Sequence, residues 1–338
     1  MRHFVDIQDY TPQELENLLE LIRVAKSASQ DGALPPLLAG ASLGMIFEEP
    51  STRTRVSFEV AMTRLGGHAL YLRPGEIHMG ARETVADTAQ VLSRMVDGIE
   101  ARLLKHDHML ELARWSRVPV INGLTDVQHP TQVLCDVFTM QEHLPAGRNL
   151  PGLNLTFVGD ATNVCNSLAQ ICTRLGINFT QAAPRRYQLT PAYRAISQAN
   201  CAQSGSRLTI TEDVEAAVRH ADFVYTDLWW WVDHEHEKEE RVAAFKPRYQ
   251  VTRALLDQAP AHARFMHCLP ASRGVEVTDE VMDGPRSIIF DQAENRLHTE
   301  IALLLYLVRP QLKLPGESLL AHHRARISAV LSQRFGVE

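Results

Sequence analysis

The sequence predicts an α/β protein made of two doubly wound parallel-sheet domains joined by interdomain helices, and three observations predict it. The chain has 338 residues, more than one ordinary core holds, so two units of about 150 residues each are expected. Strand-like apolar runs alternate with helical patterns, the signature of parallel strands covered on both faces by crossover helices. The alternation also restarts in mid-chain, where Leu155 to Gly159 reads as a strand feeding a tight Gly159-Asp160 turn.

The elements follow in order. A helix is expected over Thr11 to Ser27, a buried strand over Ala41 to Phe47, a helix over Arg55 to Leu65 and a strand over His68 to Leu72. Next come a helix over Thr84 to Met95, strands over Gly98 to Arg102 and Val118 to Asn122, and a helix over Thr131 to His143. The first domain is expected to span 1–145, with the junction inside Leu144 to Leu153, and the second 146–296. Further strands are expected over Asn178 to Ala183, Arg207 to Thr211, Phe223 to Thr226, Phe265 to Cys268 and Ser287 to Asp291. A helix over Glu300 to Arg309 should return to the first domain, with a crossing near Arg296. The tail offers a hinge at Pro315-Gly316 and an amphipathic helix over Leu319 to Phe335, so that 297–338 packs back on the first domain or onto a neighbouring subunit.

Composition excludes several function classes. The net charge is −6, from 34 basic and 40 acidic residues, which gives no field to attract nucleic acid or an anionic membrane; an anionic substrate needs a local basic site. Five cysteines without a C-x-x-C pair suggest reduced thiols, and no apolar leader or long apolar run is visible, so a cytoplasmic location with no membrane partner is expected.

Four short segments carry chemistry. Ser51-Thr52-Arg53-Thr54-Arg55 follows the first strand and opens a helix, where free N–H groups, the positive dipole end and guanidiniums suit a phosphate. The plainer reading is a capping serine followed by solvated arginines. His129-Pro130-Thr131-Gln132, His267-Cys268-Leu269-Pro270 and Gln292-Ala293-Glu294-Asn295-Arg296 each stand at a strand-to-helix passage. Singly, each reads as structural: a satisfied histidine, or a cysteine serving as a small buried hydrophobe. Their order together is specific.

That set resembles the aspartate/ornithine carbamoyltransferase family, over Phe4 to about Val308, and its ornithine branch in particular. Within that branch, Arg73-Pro74-Gly75-Glu76-Ile77 and the stretch Ala271 to Glu280 look most like putrescine carbamoyltransferases. The resemblance implies transfer of a carbamoyl group from carbamoyl phosphate to the terminal amine of a small diamine or diamino acid, with no cofactor and no metal. It implies phosphate contacts from Ser51, Thr52, Arg53, Thr54 and Arg296, with Arg102 and His129 donating to the carbonyl oxygen. Gln132 and the Cys268-Leu269 backbone would orient the carbamoyl nitrogen, Cys268 would flank the attacking amine, and His78 would reach the site of an adjacent subunit in a homotrimer or a multiple of one.

The acceptor side departs from the family pattern. Asn163, Asp227 and Leu269 fall at acceptor-binding positions, but ornithine enzymes follow the aspartate with Trp and then Ser-Met-Gly, whereas here Trp231 and Val232 stand at the Ser and Met positions. Loss of that serine favours a diamine, putrescine first, with ornithine as the alternative. Three tryptophans in a row could instead pack, and neighbours on an extended segment should point oppositely. Val158-Gly159-Asp160-Ala161 lacks the spaced glycines of a dinucleotide fingerprint. His234-Glu235-His236-Glu237 is not expected to be a zinc site, which needs convergent ligands, and Glu237-Lys238-Glu239-Glu240-Arg241 reads as a solvated helix face of alternating charge.

Overall fold

The computed structural model describes residues 1–144, 146–230, 232–312 and 316–335, with the side chains of 232–234 and 335 left aside. Two parallel sheets form its centre. The first has the order β2-β1-β3-β4, from β1 (Ser42–Phe47), β2 (His68–Leu72), β3 (Gly98–Arg102) and β4 (Val120–Leu124). The second has the order β7-β6-β5-β8-β9, from β5 (Asn154–Val158), β6 (Asn178–Ala182), β7 (Leu208–Thr211), β8 (Phe223–Tyr225) and β9 (Arg264–Met266). Every pairing in both sheets is parallel.

The strand order places one reversal in each sheet. In the first, the chain leaves β1 for β2 and returns on the other side of β1 as β3; in the second, it leaves β5 for β6 and β7 and returns as β8. Crevices open at the carboxyl ends of strands at such reversals. Both open toward the same space, as the lining of the cavity described below demonstrates.

Helices tie the two halves together. Pro130–Glu142 has an unbroken buried stretch from Pro130 to Met140, and packs on Asn163–Arg174 of the second half and on Ile289–Leu307. Ile289–Leu307 touches β9 at its start and then packs on Pro12–Gln30, Thr52–Arg64 and Pro130–Glu142. One apolar core, from Phe4 to Val308, thereby runs through both sheets, and a second fills the far side of the β5–β9 sheet.

Two expectations need correction. Ser287 to Asp291 does not form a strand: Ser287 makes one isolated bridge to Phe265, and a helix begins at Ile289. The apolar run Ile288-Ile289-Phe290 fits a short strand or a buried helix start equally well, and periodicity cannot separate them over so few residues. In consequence Arg296 sits in mid-helix, on the buried face, and the returning helix starts well before Glu300. The tail helix Glu317–Val330 is exposed at every residue, with Leu319, Leu320, Ile327, Val330 and Leu331 open to solvent, so it does not dock on its own chain.

Candidate active site

A cavity of about 510 Å³ lies between the carboxyl ends of the two sheets. The first sheet's side contributes Ser51 to Thr54, Arg102, His129, Gln132 and the inward-facing Arg296. The second contributes Asp160 to Val164, Asp227, Leu228, Trp230 and Cys268 to Pro270.

Local sequence explains the first wall. Ser51 is extended at φ −148° and its Oγ accepts the Thr54 N–H at 3.4 Å, so the helix Thr52–Arg64 begins with its free N–H groups on the cavity. Ser51 is therefore at once the helix cap and part of the cavity wall. The two arginines separate: Arg53 lines the cavity, whereas Arg55 pairs with Glu59 at 3.0 Å and covers the Tyr71 ring at 3.9 Å. Arg102 stands at the end of β3, which Glu48 ties to β1: its N–H donates to the Arg102 carbonyl at 3.0 Å and its carboxylate accepts the Leu104 N–H at 2.6 Å.

The guanidiniums are crowded and partly desolvated. Burial, then the neighbouring cations, pushes Arg102 down to about 10. Arg53 is lowered by burial and by Arg296. The same causes, burial followed by Arg296, Arg102 and Arg53, hold His129 well below an ordinary imidazole, so it is neutral at neutral pH. Its Nδ1 lies 3.4 Å from the Thr131 hydroxyl and its backbone N–H donates to Ser167 Oγ at 2.9 Å.

A buried hydrogen-bond chain joins the two walls. Arg296 Nη1 donates to Gln132 Oε1 at 2.7 Å, and Gln132 Nε2 donates to Asp136 Oδ1 at 2.8 Å. Asp136 also accepts Gln292 Nε2 at 2.7 Å and the Tyr225 hydroxyl at 3.0 Å, and Gln292 Oε1 accepts the His267 N–H at 3.0 Å. Burial pushes Asp136 up to about 7 even against those donors. Asp136 is not among the residues the sequence motifs mark; the i, i+4 spacing from Gln132 to Asp136 is the signal that places both on one helix face.

The second wall is built on turns. Thr162 caps the helix Asn163–Arg174 through Cys165 N–H at 3.4 Å and donates to Asp227 Oδ2 at 3.1 Å. Asp227 Oδ1 accepts the Leu228 N–H at 2.8 Å and the Cys268 thiol at 3.1 Å. Burial and then Asp227 push that thiol well above its usual range, so Cys268 is a neutral donor. Asn163 Nδ2 donates to the Thr125 carbonyl at 2.7 Å. Leu269 has φ 60°, a left-handed conformation that costs a leucine about 1–3 kcal/mol and that clusters at working sites. Its N–H donates to His267 Nδ1 at 2.8 Å. Asp227, His267 and Cys268 could converge on a metal, but Asp227 is engaged by the Cys268 thiol, Thr162 and Leu228, and His267 Nδ1 by the Leu269 N–H.

The tryptophans divide as an extended segment requires. Trp229 is fully buried and stacks on Phe245 at 5.1 Å, whereas Trp230 lines the cavity. Trp231 lies outside the described residues, as does the Val232 side chain. Arg241 holds this loop: it donates to the Trp229 carbonyl at 3.0 Å and to Glu237 at 2.8 Å, and pairs with Asp160. His78 is exposed and does not line this cavity. Among the described residues, no helix is long and apolar enough to cross a membrane.

The two halves that meet at this cavity each match a known domain family. Residues 2–142 match the aspartate/ornithine carbamoyltransferase carbamoyl-P binding domain, and residues 151–307 match the Asp/Orn binding domain. The chain belongs to the aspartate/ornithine carbamoyltransferase family. A putrescine carbamoyltransferase of Mycoplasma capricolum is 51% identical over 99% of this chain and 93% of its own. An ornithine carbamoyltransferase of Methanopyrus kandleri is 45% identical over 90% of this chain and 97% of its own. The structure of the ornithine carbamoyltransferase from Pyrococcus furiosus superposes with a TM-score of 0.88, at 44% identity, covering 92% of this chain and 98% of the other. The fold of two parallel-sheet halves expected from the sequence is therefore the family's fold, and the segments at Ser51, His129, Cys268 and Arg296 that carried the resemblance meet at one cavity.

Proposed function

We propose that this carbamoyltransferase moves the carbamoyl group of carbamoyl phosphate to one amine of putrescine or a closely related diamine. One observation carries the reading: the cavity has three guanidiniums, Arg53, Arg102 and Arg296, on one wall and carboxylates, Asp160, Asp227 and Glu235, around the other. A phosphoryl dianion fits the first wall and a dication the second. Among the described lining residues no cation stands on the acceptor side to meet an α-carboxylate. The 51% relative being a putrescine enzyme supports the same choice over ornithine.

The chemistry follows from the groups present. Ser51, Thr52, Arg53, Thr54 and the helix start hold the phosphate, with Arg296 neutralising it as it leaves. Arg102 and neutral His129 donate to the carbonyl oxygen, which gains charge as the amine nitrogen bonds to carbon; one such donor is worth about 3 kcal/mol. The carbon–oxygen bond to phosphate then breaks, and the amine proton passes to the departing phosphate. Gln132 and the Cys268-Leu269 backbone orient the carbamoyl nitrogen. Asp227, with the Cys268 thiol and Thr162, receives the incoming amine in a partly dry pocket that favours its neutral form. Asn163 and the Trp230–Val232 loop, with Leu269, set the length of acceptor admitted.

In this reading residues 1–145 form the carbamoyl-phosphate domain and 146–296 the acceptor domain. The enzyme is a cytoplasmic homotrimer or a multiple of one, His78 serves the adjacent subunit's site, and the exposed apolar stripe of Glu317–Val330 seats on a neighbour. The test is phosphate release from carbamoyl phosphate with putrescine, cadaverine, ornithine and acetylornithine, checked by product mass. Preference for putrescine is expected; preference for ornithine would overturn the acceptor assignment, and no release with any acceptor would overturn the enzyme reading.

A further inference from the structure

Behind the cationic wall lie two carboxyl groups that the reaction does not use. Glu100, on β3, and Glu300, on Ile289–Leu307, are both fully buried. Glu300 Oε1 accepts Nη2 and Nε of Arg296 at 2.8 and 3.2 Å, while its Oε2 has no partner. Neither oxygen of Glu100 has a partner, and Arg102 Nε is likewise unmatched. The Glu100 carboxyl fills the space above Gly123: a Cβ there would lie 1.9 Å from Glu100 Oε1, so glycine is required on β4 for Glu100 to fit.

Buried carboxyl oxygens without donors are costly when ionised, and two such groups that share Arg296 as a charged neighbour cannot both shed their protons cheaply. We propose that Glu100 and Glu300 hold one proton between them, Glu100 as the neutral acid and Glu300 as the carboxylate that positions Arg296. The charged groups acting on Glu100 are Glu300, Arg102 and Arg296, and Arg102 in turn feels Arg53 and Glu49. Burial first, and the Glu300 charge second, push Glu100 well above an ordinary glutamate, while Glu300 rises to about 7 beside Arg296. A second carboxylate in this pocket would cancel the Arg102 charge as Glu300 offsets that of Arg296. The retained proton leaves that charge available to a dianion. Glu300 is the positioning residue for Arg296, Glu100 acts on Arg102 through its charge state, and the kinetic role of both rests on the phosphate reading of Arg102 and Arg296 given above.

The experiment has a spectroscopic arm and a kinetic arm. In deuterated buffer at pH about 8.5, where an ordinary glutamate is fully ionised, the infrared spectrum of the full-length protein is expected to contain a protonated carboxylic acid band that Glu100→Gln removes. In the kinetic arm, Glu300→Gln and Glu100→Ala are each expected to raise KM for carbamoyl phosphate about tenfold or more, with a smaller change in kcat. Glu100→Gln, neutral and of the same shape, is expected to recover most of what Glu100→Ala loses. A spectrum in which Glu100→Gln removes no band overturns the proposal, and so does a Glu100→Gln variant as impaired as Glu100→Ala. If the parent protein releases no phosphate from carbamoyl phosphate, the functional reading fails while the infrared band still decides where the proton sits.

Discussion

The two walls of the cavity are built by different means. The cationic wall draws on a capped helix start, a strand end and a mid-helix arginine, locked by buried hydrogen bonds from Arg296 through Gln132 to Asp136. The acidic wall stands on turns: the Asp160 turn, the strained Leu269 and the Trp229-Trp230 segment, tied back by Arg241. The first wall must meet one fixed chemical group, the phosphoryl dianion, and rigid elements serve that best. The second must distinguish acceptors that differ in length and charge, and loops change most easily among relatives on one scaffold.

The largest expected effect breaks the symmetry between two adjacent arginines. Arg53→Ala is expected to lower kcat/KM for carbamoyl phosphate by about 10³-fold, the scale of losing an arginine that stabilises phosphoryl charge. Arg55→Ala should change it by no more than about threefold, because Arg55 is engaged by Glu59 and Tyr71 on the outer face. Equal losses in steady-state assays of the two variants would mean that the helix start does not orient Arg53 as described.

His129 tests the cationic wall against pH. Because burial and three arginines keep it neutral, His129→Gln is expected to lower kcat by about 10²-fold, the scale of one oxyanion donor, by the same factor from pH 6 to 8. A deficit that grew as pH fell would show an imidazolium at work. The sign for stability is separate: the folded value lies below the unfolded 6.5, so only the unfolded chain takes up this proton as pH falls below about 6.5. His129 thus costs stability at acid pH, and the substitution should flatten the acid side of a denaturation series.

How much of this was legible in the sequence follows the same division. Residues 51–54, 102, 129, 268 and 296 meet at one cavity; in the proposed function, phosphate and oxyanion chemistry demands particular groups at strand ends and helix starts, and such demands leave short motifs. The start of the helix at Ile289 was misread because three apolar residues carry no period. Asp136 is unmarked in the sequence because a buried polar hub is recognised by its partners, and those lie far apart in the chain. The tryptophan run gave the alternation of direction, with Trp229 inward, but not which neighbour would line the cavity.

The tryptophans sharpen the comparison further, because adjacent residues should fail in different ways. Trp229→Ala removes a fully buried ring stacked on Phe245 and is expected to cost about 3–5 kcal/mol of stability by chemical denaturation. Trp230→Ala should leave stability within about 1 kcal/mol and raise KM for the amine while leaving KM for carbamoyl phosphate alone.

Arg241→Met is the gentlest probe and the most discriminating. Its guanidinium joins the Trp229 carbonyl, Glu237 and Asp160, so it links the helix Lys238–Phe245 to both turns of the acceptor wall without lining the cavity itself. Methionine preserves most of the side chain's length and packing while removing the charge and the donors, including the Arg241 contact to Asp160. If the loop is positioned through Arg241, the ratio of kcat/KM for putrescine to that for ornithine should shift by about threefold to tenfold, with kcat/KM for carbamoyl phosphate unchanged. A variant that lost both substrates equally would instead mean that the two walls are one mechanical unit, coupled through the Asp136 hub, and that the division between a rigid wall and an adaptable one does not hold for this enzyme.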